Sequence, residues 1–135
     1  MSKFFLISMI QLLLVGCVTS KQHPSNNGLD YAKADQGLIN LLIQKGSNPN
    51  KAHSIDFFVE CKSKQIVSDI VSKAVLFGFE DDYIHYSEKD GYWSTSLSSE
   101  LKLNLADISE QRHKLMPLVT SASCKKITWG ASVVK

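Results

Sequence analysis

The segment HSIDFFVEC (residues 53–61) is followed after one residue by SKQIVSDIVSKAVLFG (residues 63–78), and this pair decides the fold. The first segment alternates apolar and polar residues around Phe57, which is the period-two pattern of a strand with one buried face. The second repeats apolar residues every three or four positions, which predicts an amphipathic helix. Ser63 is suited to cap the start of this helix, and Gly78 is suited to end it.

Further strands are predicted downstream of this pair. Residues 83–88 and residues 92–103 are both rich in β-prone side chains, and they flank Asp90-Gly91. An Asp-Gly pair between two such runs is a strong hairpin signal. Residues 125–134 alternate again, which predicts a closing strand.

Two further helices are predicted on either side of these strands. Residues 29–45 carry leucines at helical spacing, with Asp30 as the expected N-cap. A later helix is expected to begin at Asp107, which forms a capping-box pattern with Glu110. Pro117 lies inside this later pattern, and because proline removes a backbone hydrogen bond, we expect a kink or an early end there.

The predicted order is helix, strand, helix, strand, strand, helix, strand, which indicates the α+β class. After the first helix this is the split βαβ, or ferredoxin-like, arrangement. It contains a four-stranded antiparallel sheet with two helices on one face, and its first and last strands are neighbours. The extra N-terminal helix is expected to cover an edge or an end of this core.

The composition is that of an ordinary globular protein with room for one domain. The chain has 135 residues, of which 15 are basic and 13 are acidic, for a formal net charge of +2. These charges are spread along the sequence and form no basic block. Nucleic-acid binding is therefore not expected.

The N-terminus has the pattern of a lipoprotein signal peptide. Residues 4–15 form an apolar run behind a short basic start, and this run is shorter than the roughly 20 residues that span a bilayer. It ends at Gly16-Cys17, which is typical of a lipobox. We therefore predict a signal peptide over residues 1–16 and lipidation of Cys17. The alternative is a secretory signal, or a buried apolar N-terminus, with an incidental cysteine.

Residues 17–28 are polar and lack an apolar period, which predicts a flexible lipidated tether in front of a domain over residues 29–135. Because one acyl chain binds a membrane only marginally, several chains on Cys17 would be needed for a permanent anchor. Val18 after the cysteine is typical of lipoproteins sorted to an outer membrane. The predicted location is therefore the cell envelope, on the periplasmic side of the outer membrane.

The other two cysteines are predicted to pair. Cys61 ends the first strand and Cys124 precedes the last one, and these ends meet in the proposed sheet. An oxidising compartment favours a disulfide there, which would stabilise the domain by about 4 kcal/mol in the loop-entropy treatment. The alternative is two reduced thiols packed as small apolar groups.

Four aromatic residues are candidates for a partner-binding surface. Phe58 lies on the polar side of its strand, and Tyr83, Trp93 and Trp129 lie on other predicted strands. Together they would form an aromatic patch on the open face of the sheet, where a protein partner could anchor. The alternative is that the strand register places most of them in the core or under the first helix.

The sequence contains no pattern that is typical of catalysis or metal binding. The histidines His23, His53, His85 and His113 have no acid and nucleophile at motif spacing. No CxxC or HxxxH spacing accompanies the cysteines and histidines. We therefore expect no catalytic residue, no metal and no cofactor.

Several short motifs of the domain occur in the order found in a known family. They are Gly46-Ser47-Asn48-Pro49-Asn50, Phe77-Gly78-Phe79, Asp90-Gly91, Leu103-Asn104, Leu115-Met116 and Trp129-Gly130. With them, residues 30–135 resemble the RraB-like family, which takes its name from a cytoplasmic regulator of ribonuclease E activity and includes ribonuclease E inhibitor-like domains. The resemblance implies a small α+β domain that binds another protein and is not an enzyme. This chain departs from the pattern by its export signal and by lacking a long acidic tail.

Three functions follow as hypotheses. The leading one is a lipid-anchored, non-enzymatic regulator or inhibitor that binds an envelope protein, and a toxin-neutralising immunity protein would fit this size and location. The alternative is a cytoplasmic regulator of ribonuclease E whose N-terminus is not processed. A third class, an envelope hydrolase, would require a polar cleft with His85 or His113 near a carboxylate.

Overall fold

A computed structural model describes residues 26–119 and 123–135, with side chains from Tyr31 onward. The predicted signal peptide, Cys17 and the tether up to residue 25 lie outside the described residues. No helix within the described ranges is long and apolar enough to cross a membrane.

The described residues form three α-helices, one 3-10 helix and five strands. The helices are α1 (Asn26–Gln44), α2 (Lys64–Leu76), α3 (Leu105–Leu115) and the 3-10 helix η1 (Met116–Val119). The strands are β1 (Ala52–Cys61), β2 (Glu80–Asp81), β3 (His85–Ser87), β4 (Tyr92–Lys102) and β5 (Thr128–Ala131). The predicted α+β class is confirmed.

All strand pairs in the sheet are antiparallel, and β1 lies in the middle. β4 pairs along one side of β1 over its whole length, and β5 pairs along the other side. The short strands β2 and β3 both pair with the outer side of β4. The predicted adjacency of the first and last strands is therefore present, and so is the predicted hairpin, in which Gly91 has a φ of 70°.

The edge of the sheet differs from the prediction. The sequence predicts a single strand over residues 83–88, but pairing occurs at β2 and again at β3, with residues 82–84 between them. In this interval the Tyr83 backbone N–H donates to Asp82 Oδ1 instead of to a neighbouring strand. Aspartate side chains often compete with strand pairing in this way.

The core lies between one face of the sheet and the helices. Phe57 and Leu97 are fully buried on adjacent strands, and the Phe57 ring meets Phe79 edge-on at 6.0 Å between centroids. From the helices, Val67 of α2 and Ile108 of α3 join the same cluster. Burial of such side chains is the main favourable term in folding.

The helix boundaries confirm some local signals and correct others. Ser63 caps α2 as predicted, because its Oγ accepts from the Ile66 backbone N–H at 3.4 Å. The N-cap of α3 is Asn104 and not Asp107, since Asn104 Oδ1 accepts from the Asp107 backbone N–H at 2.9 Å. The α-helical part of α3 ends at Leu115, which confirms the early end predicted from Pro117.

Both ends of the predicted domain differ slightly from expectation. α1 begins at Asn26, inside the predicted tether, so Asp30 lies within the helix and not at its N-cap. The closing strand is shorter than residues 125–134, because only β5 pairs continuously with β1. Cys124 forms a separate bridge to Cys61 ahead of it.

Candidate functional site

The two faces of the sheet differ in what covers them. Along β1, odd-numbered residues such as Phe57 are buried, whereas even-numbered residues such as Phe58 point to the other side. Residues directly opposite each other on antiparallel strands share a face, so the register extends this division across the sheet. We call the uncovered side the open face. It consists of Ala52, Ser54, Asp56, Phe58 and Glu60 of β1, Tyr92, Ser94, Ser96, Ser98, Glu100 and Lys102 of β4, Thr128 and Gly130 of β5, Glu80 of β2, and His85 and Ser87 of β3.

The open face is acidic, although the chain carries a net charge of +2. Four carboxylates occupy strand positions on it: Asp56, Glu60, Glu80 and Glu100. Asp56 Oδ1 accepts a hydrogen bond of 2.5 Å from Ser98 Oγ, and Glu60 Oε2 lies 3.7 Å from Lys125 Nζ. Both side chains of this ion pair remain more than a third exposed. Such a pair contributes little to stability and leaves the carboxylate accessible.

A groove of about 500 Å³ lies on the open face beside Phe58. The Phe58 side chain lies next to Gly130, where a β carbon would be 3.4 Å from Phe58 Cε2. Glycine at this position therefore leaves space for the ring over β5. Glu60 and Asp82 line the same groove, so an exposed ring and two carboxylates lie side by side.

The loop that carries Tyr83 is held against β4 at the border of this groove. Thr95 Oγ1 donates to the Asp82 carbonyl at 3.0 Å, and the Asp82 backbone N–H donates to the Ser96 carbonyl at 3.2 Å. These bonds place Tyr83 beside the groove, with its ring 5.5 Å from that of His85. Tyr83 is 73% exposed. The loop therefore presents a second aromatic ring to solvent at the border of the groove.

A second groove, of about 280 Å³, lies farther along β4 on the same face. Its lining includes Ser54, Glu80 and Glu100. It is polar and acidic, whereas the groove beside Phe58 is half apolar. The open face thus combines an aromatic region with an acidic region along one strand.

The other two aromatic candidates do not lie on the open face. Trp93 is opposite Cys61 on the covered side, where its ring packs 4.9 Å from Tyr86. Trp129 is opposite Phe57 and is buried. The single patch of four aromatic residues is therefore not formed, because the register of β4 and β5 turns the two tryptophans toward the helices. Phe58 and Tyr83 are brought together.

A buried ion pair that the sequence analysis missed ties α1 to α3 and β5. Asp35 accepts from both terminal nitrogens of Arg112, at 2.5 and 2.6 Å, and from Trp129 Nε1 at 2.9 Å. The Tyr31 ring lies 4.7 Å from Arg112 Cζ, and Arg112 Nε is buried without a hydrogen-bond partner among the described residues. A cavity of about 290 Å³ borders this cluster. The only sequence signal for this ion pair is that Asp35 and Arg112 each lie within an otherwise amphipathic helix.

Cys61 and Cys124 are joined by the disulfide bond that the sequence predicts. Their Cα atoms are 4.0 Å apart, inside the limit of about 7 Å for a bridge. The bond links the end of β1 to the segment before β5. It therefore lies at the end of the sheet near the groove beside Phe58, where Lys125 follows directly.

His85 and Ser94 form the arrangement closest to a catalytic site. His85 Nε2 lies 3.0 Å from Ser94 Oγ, and both line the groove that contains Glu60 and Asp82. The polar cleft required by the hydrolase hypothesis is thus present. However, no carboxylate of the described residues hydrogen-bonds to the other ring nitrogen of His85, and this is the group that orients histidine in a triad.

The remaining histidines of the described ranges have other surroundings. His53 is buried, with Nδ1 2.8 Å from the Lys51 carbonyl and Nε2 3.2 Å from Ser47 Oγ. His113 is exposed near the end of α3. Among residues 26–119 and 123–135, no group of three or more His, Cys, Asp or Glu side chains is placed to hold a metal ion.

Comparison with known proteins assigns the chain to a family. The family model described as Regulator of ribonuclease activity B, abbreviated RraB, matches residues 32–131, a range that includes all five strands and most of the three α-helices. The chain belongs to the RraB family. The resemblance stated from its short motifs is therefore confirmed.

A similar RraB protein is known from Haemophilus ducreyi, where it is named Regulator of ribonuclease activity B. It is 27% identical to this chain over 96 residues, which cover 69% of this chain and 67% of the relative. The family model covers nearly the whole domain. The open face, the buried ion pair and the disulfide all lie within residues 32–131, which this model matches.

Proposed function

We propose that this member of the RraB family is a non-enzymatic regulator or inhibitor that acts by binding another protein. Membership of a family named for regulating a ribonuclease carries the proposal. The exposed, partly aromatic open face supports it, since aromatic rings are enriched where proteins bind each other. The Ser94–His85 pair favours hydrolysis only weakly, because His85 is exposed and no carboxylate of the described residues orients its ring.

We further propose that the protein is anchored by lipid on Cys17 in the cell envelope, on the periplasmic side of an outer membrane, and that its partner is an envelope protein. The signal-like N-terminus motivates this location. The Cys61–Cys124 disulfide supports it, because disulfides persist in oxidising compartments and are rare in the cytosol. A toxin that the protein neutralises as an immunity protein is one such partner.

The competing function is that of a cytoplasmic regulator of ribonuclease E with an unprocessed N-terminus. The name of the relative supports only the regulation of a ribonuclease. Fractionation combined with metabolic acyl labelling separates the two. The proposal expects labelled protein in the membrane fraction and loss of the label in Cys17→Ser. Unlabelled protein in the soluble fraction would exclude the anchored form and favour the cytoplasmic regulator.

We also propose that the sheet is ferredoxin-like. The strand order β2-β4-β1-β5 supports this assignment, as do the two helical connections, α2 between β1 and β2 and α3 between β4 and β5. The helix α1 is then an addition at the N-terminus of the motif.

A further inference from the structure

We infer that the open face binds a segment of the partner protein in which basic residues alternate with apolar ones. The inference rests on the proposed protein-binding function and adds to it the binding surface and the chemistry of the partner. Three properties of the described residues carry it: charge, exposed rings and the position of both on one uncovered side of the sheet.

The charge of the open face selects a cationic partner. Besides the four carboxylates at strand positions, Asp82 contributes a fifth carboxylate at the border of the groove. Two lysines lie on this side of the described sheet: Lys102, at the far end opposite Ala52, and Lys125, whose Nζ is 3.7 Å from Glu60 Oε2. The carboxylates outnumber them, so the face stays acidic. Complementary charge speeds association and suppresses wrong partners. Phosphate-rich surfaces, such as nucleic acids and anionic membranes, would be repelled.

The exposed rings indicate that the partner segment is also apolar. Phe58 is 41% exposed and Tyr83 is 73% exposed, and both line the groove that contains Glu60. Lysine and arginine pack their aliphatic stems on apolar surface while the charged end stays near water. A cation above an aromatic ring is further attracted to the face of the ring. Rings beside carboxylates therefore fit basic side chains interleaved with apolar ones.

Binding of defined peptides tests the chemistry. The probe is a fluorescent peptide in which lysine alternates with leucine, and the control probe carries glutamate in place of each lysine. We expect the purified protein to bind the lysine peptide, and combined Glu60→Gln, Glu80→Gln and Glu100→Gln to weaken binding about tenfold. Phe58→Ala should weaken it by a similar factor.

A matched variant controls for net charge. Glu88→Gln, Asp69→Asn and Glu110→Gln remove three exposed carboxylates that lie off the open face. This variant should bind the lysine peptide as the unmodified protein does. Equal weakening by both triple variants, or equal binding of the glutamate peptide, would overturn the inference.

Photo-cross-linking of the full chain in its own cells separates failure of this inference from failure of the proposed function. A photoreactive phenylalanine replaces Phe58 in one variant and Leu41 in another, because Leu41 is equally exposed, at 44%, but lies on α1. We expect a protein adduct at position 58 whose cross-linked segment is basic. An adduct only at position 41, or an acidic segment at 58, overturns the inference but keeps protein binding. No protein adduct at either position argues against both.

Discussion

At the scale of single residues, Asp35 holds a buried ion pair where α1, α3 and β5 meet. Its carboxylate receives both terminal nitrogens of Arg112 and the indole N–H of Trp129 in a buried site. Asp35→Ala leaves the guanidinium buried without its counter-charge, so we expect the free energy of unfolding to fall by about 3–5 kcal/mol. Urea denaturation followed by circular dichroism measures this loss.

A neighbouring residue serves as the control for Asp35. Gln36 is exposed on the same helix, and Gln36→Ala should change the free energy of unfolding by about 0.5 kcal/mol or less. Adding Arg112→Met to Asp35→Ala should recover part of the loss, because an apolar side chain then replaces the unpaired charge. Similar losses for Asp35→Ala and Gln36→Ala would show that the ion pair is unimportant.

At the level of elements, two residues compete as the N-cap of α3: Asn104, which caps it in the structure, and Asp107, which the sequence predicts. Asn104 Oδ1 accepts from the Asp107 backbone N–H, and Asn104 Nδ2 donates to Asp107 Oδ2 at 2.9 Å. Asn104→Ala should therefore lower the free energy of unfolding by about 1 kcal/mol, the usual effect of losing an N-cap. Thermal and urea unfolding of the purified variant measure the change.

Glu110→Ala is the matching test of the capping box that the sequence suggested. Because Asn104 caps the helix instead of Asp107, Glu110 has no capping role, and its replacement should change the free energy of unfolding by about 0.5 kcal/mol or less. A larger loss for Glu110→Ala than for Asn104→Ala would favour the original capping box.

At the level of the whole molecule, the Cys61–Cys124 disulfide stabilises the fold and bears on the compartment in which the protein resides. It links positions 63 residues apart and ties the segment before β5 to the central strand. Replacing Cys61 and Cys124 by serine should lower the free energy of unfolding by about 2–5 kcal/mol, as the loss of a native bridge does in small exported domains. Denaturation of the oxidised protein and of the double variant measures the difference.

Mass analysis under non-reducing conditions then tests the compartment. Protein isolated from the envelope should contain no free thiol at Cys61 or Cys124, and reduction should add two hydrogens to its mass. Free thiols in that material would contradict the bridge in the cell and would remove the main structural support for export.

The sequence by itself determined the elements whose signals are local. The structure contains the strand predicted from the alternation of residues 53–61 and the amphipathic helix α2 that Ser63 caps. It also contains the turn at Gly91 and the helix end before Pro117. Each depends on side-chain period or on backbone geometry within a few residues, so neighbours along the chain are sufficient to specify it. The family resemblance also rested on such short motifs.

Apart from the Cys61–Cys124 pair, only the tertiary structure decided which distant side chains meet. The register of β5 against β1 places Trp129 opposite Phe57 and inside the core, and a shift by one residue would have turned it outward. Asp35 and Arg112 are 77 residues apart and meet only because α1 and α3 pack together. Burial and charge pairing depend on contacts between distant segments, and no local period encodes these contacts. The sequence predicted an open face, but which residues share it, and its acidity, emerged only with the assembled sheet.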